Sequence, residues 1–241
     1  MIEVLNEPSE VLMAGHNESL SWKFYLLNIL VLGALFGLLE AALGGFIRQA
    51  GLPLRGPVVT AAGFAVMAVG LAVFKQARLI PGVALMGIFS KWLAVPLLGL
   101  PVFCQANAHL AILLNGACLY AGVSLFRKKI ADNPKAQGAV AGISALAGGT
   151  AFFILGRFWA PCAHLLSFRL AGGAVTYMLT RVVPAALLAA LLFPLGYALG
   201  RRLEKWLLPL WLSRRPLLIP LAATVALACW GGTVLLTASG F

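Results

Sequence analysis

About seven long apolar stretches, with hardly a charge inside them, account for almost all of this chain. A run of ~20 apolar residues, rising 1.5 Å per residue, crosses the ~30 Å hydrocarbon core of a bilayer. Hydrophobic residues make up 61% of the 241 positions and charged residues 10%, against roughly 25% charged in ordinary soluble domains. The chain therefore reads as an all-α membrane protein, a compact polytopic bundle of about six or seven transmembrane helices. Its function must be sought in the few polar groups that interrupt the apolar runs.

The expected spans are Tyr25–Phe46, Pro57–Phe74, Leu79–Leu100, Ala108–Phe126, Gln137–Phe158, Tyr177–Gly200 and Pro216–Ala238. Trp159–Thr176 is too short and too broken by glycine to cross, so it reads as a loop or re-entrant piece. With the N-terminus in the cytoplasm, the inner loops hold Lys23, Lys75, Arg78, Arg127, Lys128, Lys129, Lys135, Arg201, Arg202, Lys205, Arg214 and Arg215. The outer loops hold Arg48, Arg55, Arg157 and Arg169. Twelve against four predicts a cytoplasmic N-terminus and an external C-terminus, in a bacterial cytoplasmic (inner) membrane. The stretch Arg201–Arg215, with Trp206 and Trp211 among basic residues, suits an interfacial segment; the alternative is a docking surface for a cytosolic partner.

Residues 1–22 are polar and carry Glu3, Glu7, Glu10 and Glu18, the reverse of a signal peptide's positive start. They read as a cytosolic segment, and 23–241 as a single transmembrane domain. The net charge of +11 is explained by basic residues at span ends rather than by nucleic acid. Walker A, HExxH and GxSxG patterns do not occur, so ATP-driven work would need a separate ATPase subunit. Cys104, Cys118, Cys162 and Cys229 are too few for a disulfide scaffold.

Span 1 carries a small residue at every fourth position: Gly33, Gly37, Ala41 and Gly45. That spacing lines one helix face and permits close backbone approach, either to a helix of the same chain or to another subunit. Glu40, beside the stripe, is the one acid inside any expected span. An intramembrane carboxylate is costly unless paired or hydrated. Near the outer end of its span, it is expected to meet Arg48, Arg181 or a bound cation. Lys91 and Arg181 are the in-span cations; snorkelling explains Arg181 well and the mid-span Lys91 poorly.

The expected outer loops are richer still. Cys104, Gln105, Asn107 and His109 lie between spans 3 and 4, and Cys162 and His164 between spans 5 and 6. Two thiols and two imidazoles are ligands for soft or borderline metals, although neither Cx₄H nor CxH is an established metal spacing. Asn107, Asn115 and His109 also offer polar contacts to an organic ligand, or hydrogen bonds between helices. A substrate site is expected at the outer ends of spans 1, 4 and 6, built from Glu40, Asn107, His109, Asn115 and Arg181, with Cys104, His109, Cys162 and His164 as the metal set.

These features together resemble the substrate-binding (S) components of energy-coupling factor transporters. The resemblance rests on the compact bundle, the Gly33–Gly45 stripe and the first outer loop Gly51–Pro57. It extends to Pro81–Leu85 opening span 3 and the Gln105–Asn115 region opening span 4, and covers approximately Leu26 to Gly200. A seventh span departs from that family's six-helix pattern, and the His-rich N-terminus of its cobalt/nickel members is missing. The resemblance implies capture of a vitamin-like molecule or a metal ion as substrate, with no resident cofactor. It also implies a membrane coupling subunit, docked on the stripe, and cytosolic ATPase subunits. The alternatives are a lipid- or acyl-modifying transferase using His109 or His164 as base, and a stand-alone carrier. Ser144 lacks a nucleophile elbow, and no inverted repeat is evident.

Overall fold

The computed structural model describes residues 18–99, 102–158, 168, 172–213 and 215–239. The described elements are α1 (Glu18–Gln49), α2 (Arg55–Phe74), α3 (Leu79–Leu98), α4 (Val102–Ile130) and α5 (Pro134–Phe158). After them come α6 (Gly173–Tyr177), a π turn (Met178–Val182), α7 (Val183–Ser213) and α8 (Arg215–Ala238). Among the described residues seven helices are long and apolar enough to cross a membrane, with α6, the π turn and the first part of α7 forming one continuous crossing from Gly173 to Trp206. The protein is an all-α multi-pass membrane bundle.

Large apolar side chains lie on its outside as well as its inside. Leu187, Leu191, Leu195 and Leu199 form an exposed row along α7 at four-residue spacing. In water such a row is a liability; against lipid tails it is ordinary. Inside, Phe36, Phe64, Ile80, Leu119, Val123 and Phe193 form the main core. A second cluster, Phe152, Phe153 and Phe168, sits at the C-terminal end of α5.

Helices in lipid gain little from hydrophobic burial against one another, so they adhere where small residues let backbones touch. Two seams show this. Gly196 and Gly200 of α7 rest on α2, where a Cβ on Gly200 would fall 2.6 Å from the Val69 carbonyl oxygen. Gly33 and Gly37 of α1 rest on α3, where added Cβ atoms would overlap the side chains of Met86 and Ser90. The sequence left open whether the α1 stripe serves a partner; Gly33, Gly37 and Gly45 are buried within the chain, and α3 occupies the Gly33–Gly37 face.

The additional helix, α8, packs on α1 and α3 at the edge of the bundle. Ala34 of α1 is fully buried against Ala226 and Cys229. Ser90, also fully buried, donates to the Met86 carbonyl and accepts from the Trp230 indole N–H at 3.0 Å. Helices α1, α3 and α8 are thus joined around one satisfied hydroxyl.

Two helix boundaries differ from expectation. Helix α4 begins at Val102 rather than Ala108, so Cys104 and Asn107 are helical residues and not loop residues. No proline or glycine falls between Pro101 and Gly116, so nothing breaks the helix there. Helix α7 continues to Ser213, carrying most of the stretch read as interfacial.

At the opposite end from Asn107, Phe126 kinks α4 (φ −110°, ψ 19°) just before Arg127–Lys129. Lys75 caps α2 in the left-handed region (φ 54°) and is held there from two sides. Arg127 donates to its carbonyl at 2.7 Å, and its ammonium pairs with Glu204 of α7 at 2.9 Å.

Gly37→Leu is expected to destabilise the bundle by about 2–4 kcal/mol, because the added bulk overlaps Ser90. Thermal unfolding in detergent should show this as a large drop in midpoint. An unchanged midpoint would mean that the α1–α3 seam is not the tight contact described.

Candidate functional site

The close α1–α3 seam dictates what happens one turn further along. Glu40 follows Gly37, and Lys91 follows Ser90, so the two side chains meet as an ion pair through Glu40 Oε1. Both are largely buried, with side-chain exposures of 11% and 16%. The expectation that Glu40 meets Arg48 or Arg181 is therefore corrected. Lys91, unexplained by snorkelling, and Glu40, the lone in-span acid, satisfy each other. Taking two charges out of water is tolerated when they are paired.

The pair borders a cavity of about 750 Å³. It lies at the end of the bundle that holds the C-terminal turns of α1, α3 and α5 and the N-terminal turns of α2, α4 and α6. Helix α4 contributes Asn107, Ala108, Ala111, Ile112 and Asn115, a set spaced to line one helical face. Phe36, Phe64 and Met67 supply apolar surface from α1 and α2, and Phe152, Phe168 and Tyr177 an aromatic wall. In that wall the Phe168 and Tyr177 rings lie 4.7 Å apart.

Several polar atoms around this cavity have no hydrogen-bond partner although they are buried: Glu40 Oε2, Asn107 Oδ1 and Asn115 Oδ1. A buried acceptor left unpaired costs about 1–3 kcal/mol, so three around one void call for donors from elsewhere. The Asn115 oxygen packs against α5 where Gly148 leaves room for it.

Basic groups line the same cavity: Arg48, Arg55 and Arg181, in addition to Lys91. Arg55, at the start of α2, lays its guanidinium beside Gly44 of α1, where a Cβ would stand 3.1 Å from Nε. Arg181 sits on the π turn and donates through Nη1 to the Pro53 carbonyl at 2.6 Å. Pro184, two residues beyond the π turn, explains that turn. It has no N–H to donate to the Thr180 carbonyl, and its ring crowds that carbonyl, so regular α geometry is broken just there.

The structure thus brings Glu40, Asn107, Asn115 and Arg181 around one void. His109 is not among the lining residues. It stacks on Trp92 of α3, with ring centroids 6.2 Å apart and planes 26° apart, and its Nε2 is buried without a partner. Among the described residues no group of three or more His, Cys, Asp or Glu side chains is placed to hold a metal ion. Cys162 and His164 lie outside the described residues, as does the side chain of Cys104. Sequence reasoning missed Arg55 and the aromatic wall, which carry no motif. It also missed Lys91 as the partner of Glu40, which charge balance inside the spans would have given.

Compared with models of known protein families, with curated proteins and with solved structures, the chain matches none.

Breaking the Glu40–Lys91 pair from one side leaves a buried charge alone. Glu40→Gln or Lys91→Met is expected to cost about 3–5 kcal/mol, whereas the double variant Glu40→Gln, Lys91→Met should recover much of it. Unfolding midpoints of the three variants in one detergent check this. Costs that simply add in the double variant would show that the two groups do not interact.

Proposed function

We propose that this protein is a membrane-embedded solute-binding subunit of an importer, capturing a small organic solute in the cavity beside Glu40. The observation that supports this reading most is the set of buried, unpartnered acceptors around a 750 Å³ void. Pockets lined by apolar and aromatic side chains, with a few converging polar groups, are the usual form of small-ligand sites. A vitamin-sized molecule fits that volume.

The site lies at the end opposite the basic cluster of Lys75, Arg127–Lys129 and Arg201. By the positive-inside rule that arrangement supports an opening on the extracytoplasmic face of a bacterial inner membrane. Energy for uptake would come from separate ATPase subunits through a membrane coupling subunit, as the resemblance to energy-coupling factor transporters implies. Since Gly33 and Gly37 are taken up by α3, that subunit would dock on a surface other than the α1 stripe.

Native mass spectrometry with elemental analysis of the gently purified protein tests the reading. An organic mass is expected to accompany the protein and to disappear in Ala108→Phe, which fills the cavity from α4. A stoichiometric transition metal in place of that mass would instead favour metal uptake. Co-purification of an ATPase pair separates an ATP-driven importer from a stand-alone carrier.

Orientation is tested by a reporter fused at Phe241, expected outside the cytoplasm. Reporter activity in the cytoplasm would overturn the placement of the site.

A further inference from the structure

The charge and hydrogen-bonding pattern of the cavity narrows the solute, given that the cavity is the solute site. Its charged lining residues are Arg48, Arg55, Lys91 and Arg181 against Glu40. Because Lys91 already neutralises Glu40, the guanidiniums of Arg55 and Arg181 give the cavity a net positive field. A cationic solute is repelled by that field. An uncharged hydrocarbon leaves Glu40 Oε2 and the Asn107 and Asn115 oxygens without donors. A bare anion suits the guanidiniums but adds acceptors where the acceptors already lack partners.

A solute that satisfies Glu40 Oε2, the Asn107 oxygen and the guanidiniums carries opposite functions at its two ends. We propose that it is a net monoanion, with a neutral N–H-bearing head that donates to Glu40 Oε2 and Asn107 and a carboxylate that pairs with Arg55 and Arg181. Its middle is flat and apolar and lies along Phe152, Phe168 and Tyr177. The planar guanidinium matches a carboxylate through two parallel hydrogen bonds. A carboxylate also costs less to desolvate than a doubly charged phosphate. Arg181 then exchanges its bond to the Pro53 carbonyl for bonds to the solute.

The test uses four rigid probes on one biphenyl frame: 4′-carbamoylbiphenyl-4-carboxylate, biphenyl-4-carboxylate, biphenyl-4-carboxamide and 4-(aminomethyl)biphenyl. Calorimetric titration into the ligand-free full chain in nanodiscs gives the affinities. The two-ended probe is expected to bind at least about tenfold more tightly than either single-ended probe, with the amine weakest. Arg181→Gln should weaken both carboxylates by about tenfold and leave the carboxamide unchanged. Preference for the amine, equal affinity of carboxamide and two-ended probe, or no binding by any probe would overturn the proposed solute class. Binding that survives Ala108→Phe in a protein of unchanged size-exclusion profile would instead overturn the cavity as the site.

Discussion

Helices that share a bilayer cannot be held together by expelling water, so this bundle depends on backbone contact at glycine. Gly196 and Gly200 bring α7 onto α2, and Gly33 and Gly37 bring α1 onto α3. Dispersion forces are short-ranged, and a gap of even 1 Å forfeits much of their attraction. Each seam therefore fixes the separation and phase of its two helices. Side chains beyond the seams have no freedom to choose other partners.

The cavity is a product of that geometry. Tight contact along the α1–α3 seam places Glu40 against Lys91. Similar contact between α2 and α7 runs toward the far end of both helices, where Gly200 meets Val69 and Ala72. At the near end the helices carry Thr60, Phe64, Arg181 and Val182 instead, and these side chains line the void rather than fill it. Close packing at one end and separation at the other make a pocket without any loop needing to fold over a ligand.

Much of the bundle was legible in the sequence, because membrane thickness and hydrocarbon chemistry leave few choices. Span number, the small-residue stripe and the clustering of Glu40, Asn107, Asn115 and Arg181 at one end followed from residue spacing. Partner choice did not. Whether Gly33 and Gly37 face a neighbouring helix or another protein depends on three-dimensional packing, which a fourfold spacing does not encode. His109 faces Trp92 instead of the cavity because the packing of α4 on α3 sets its rotational phase, which hydropathy does not encode. The π turn had a readable cause in Pro184, but its consequence for Arg181 required the fold.

The single hydrogen bond from Arg181 to Pro53 joins a long membrane crossing to a short interhelical connection. Arg181 belongs to the π turn within the crossing that runs from Gly173 to Trp206 and packs against α2 and α5. Pro53 belongs to the short connection between α1 and α2. Whatever draws the guanidinium of Arg181 toward itself competes with the Pro53 carbonyl, so occupancy of the void and the fastening of the α1–α2 connection share the same N–H donors.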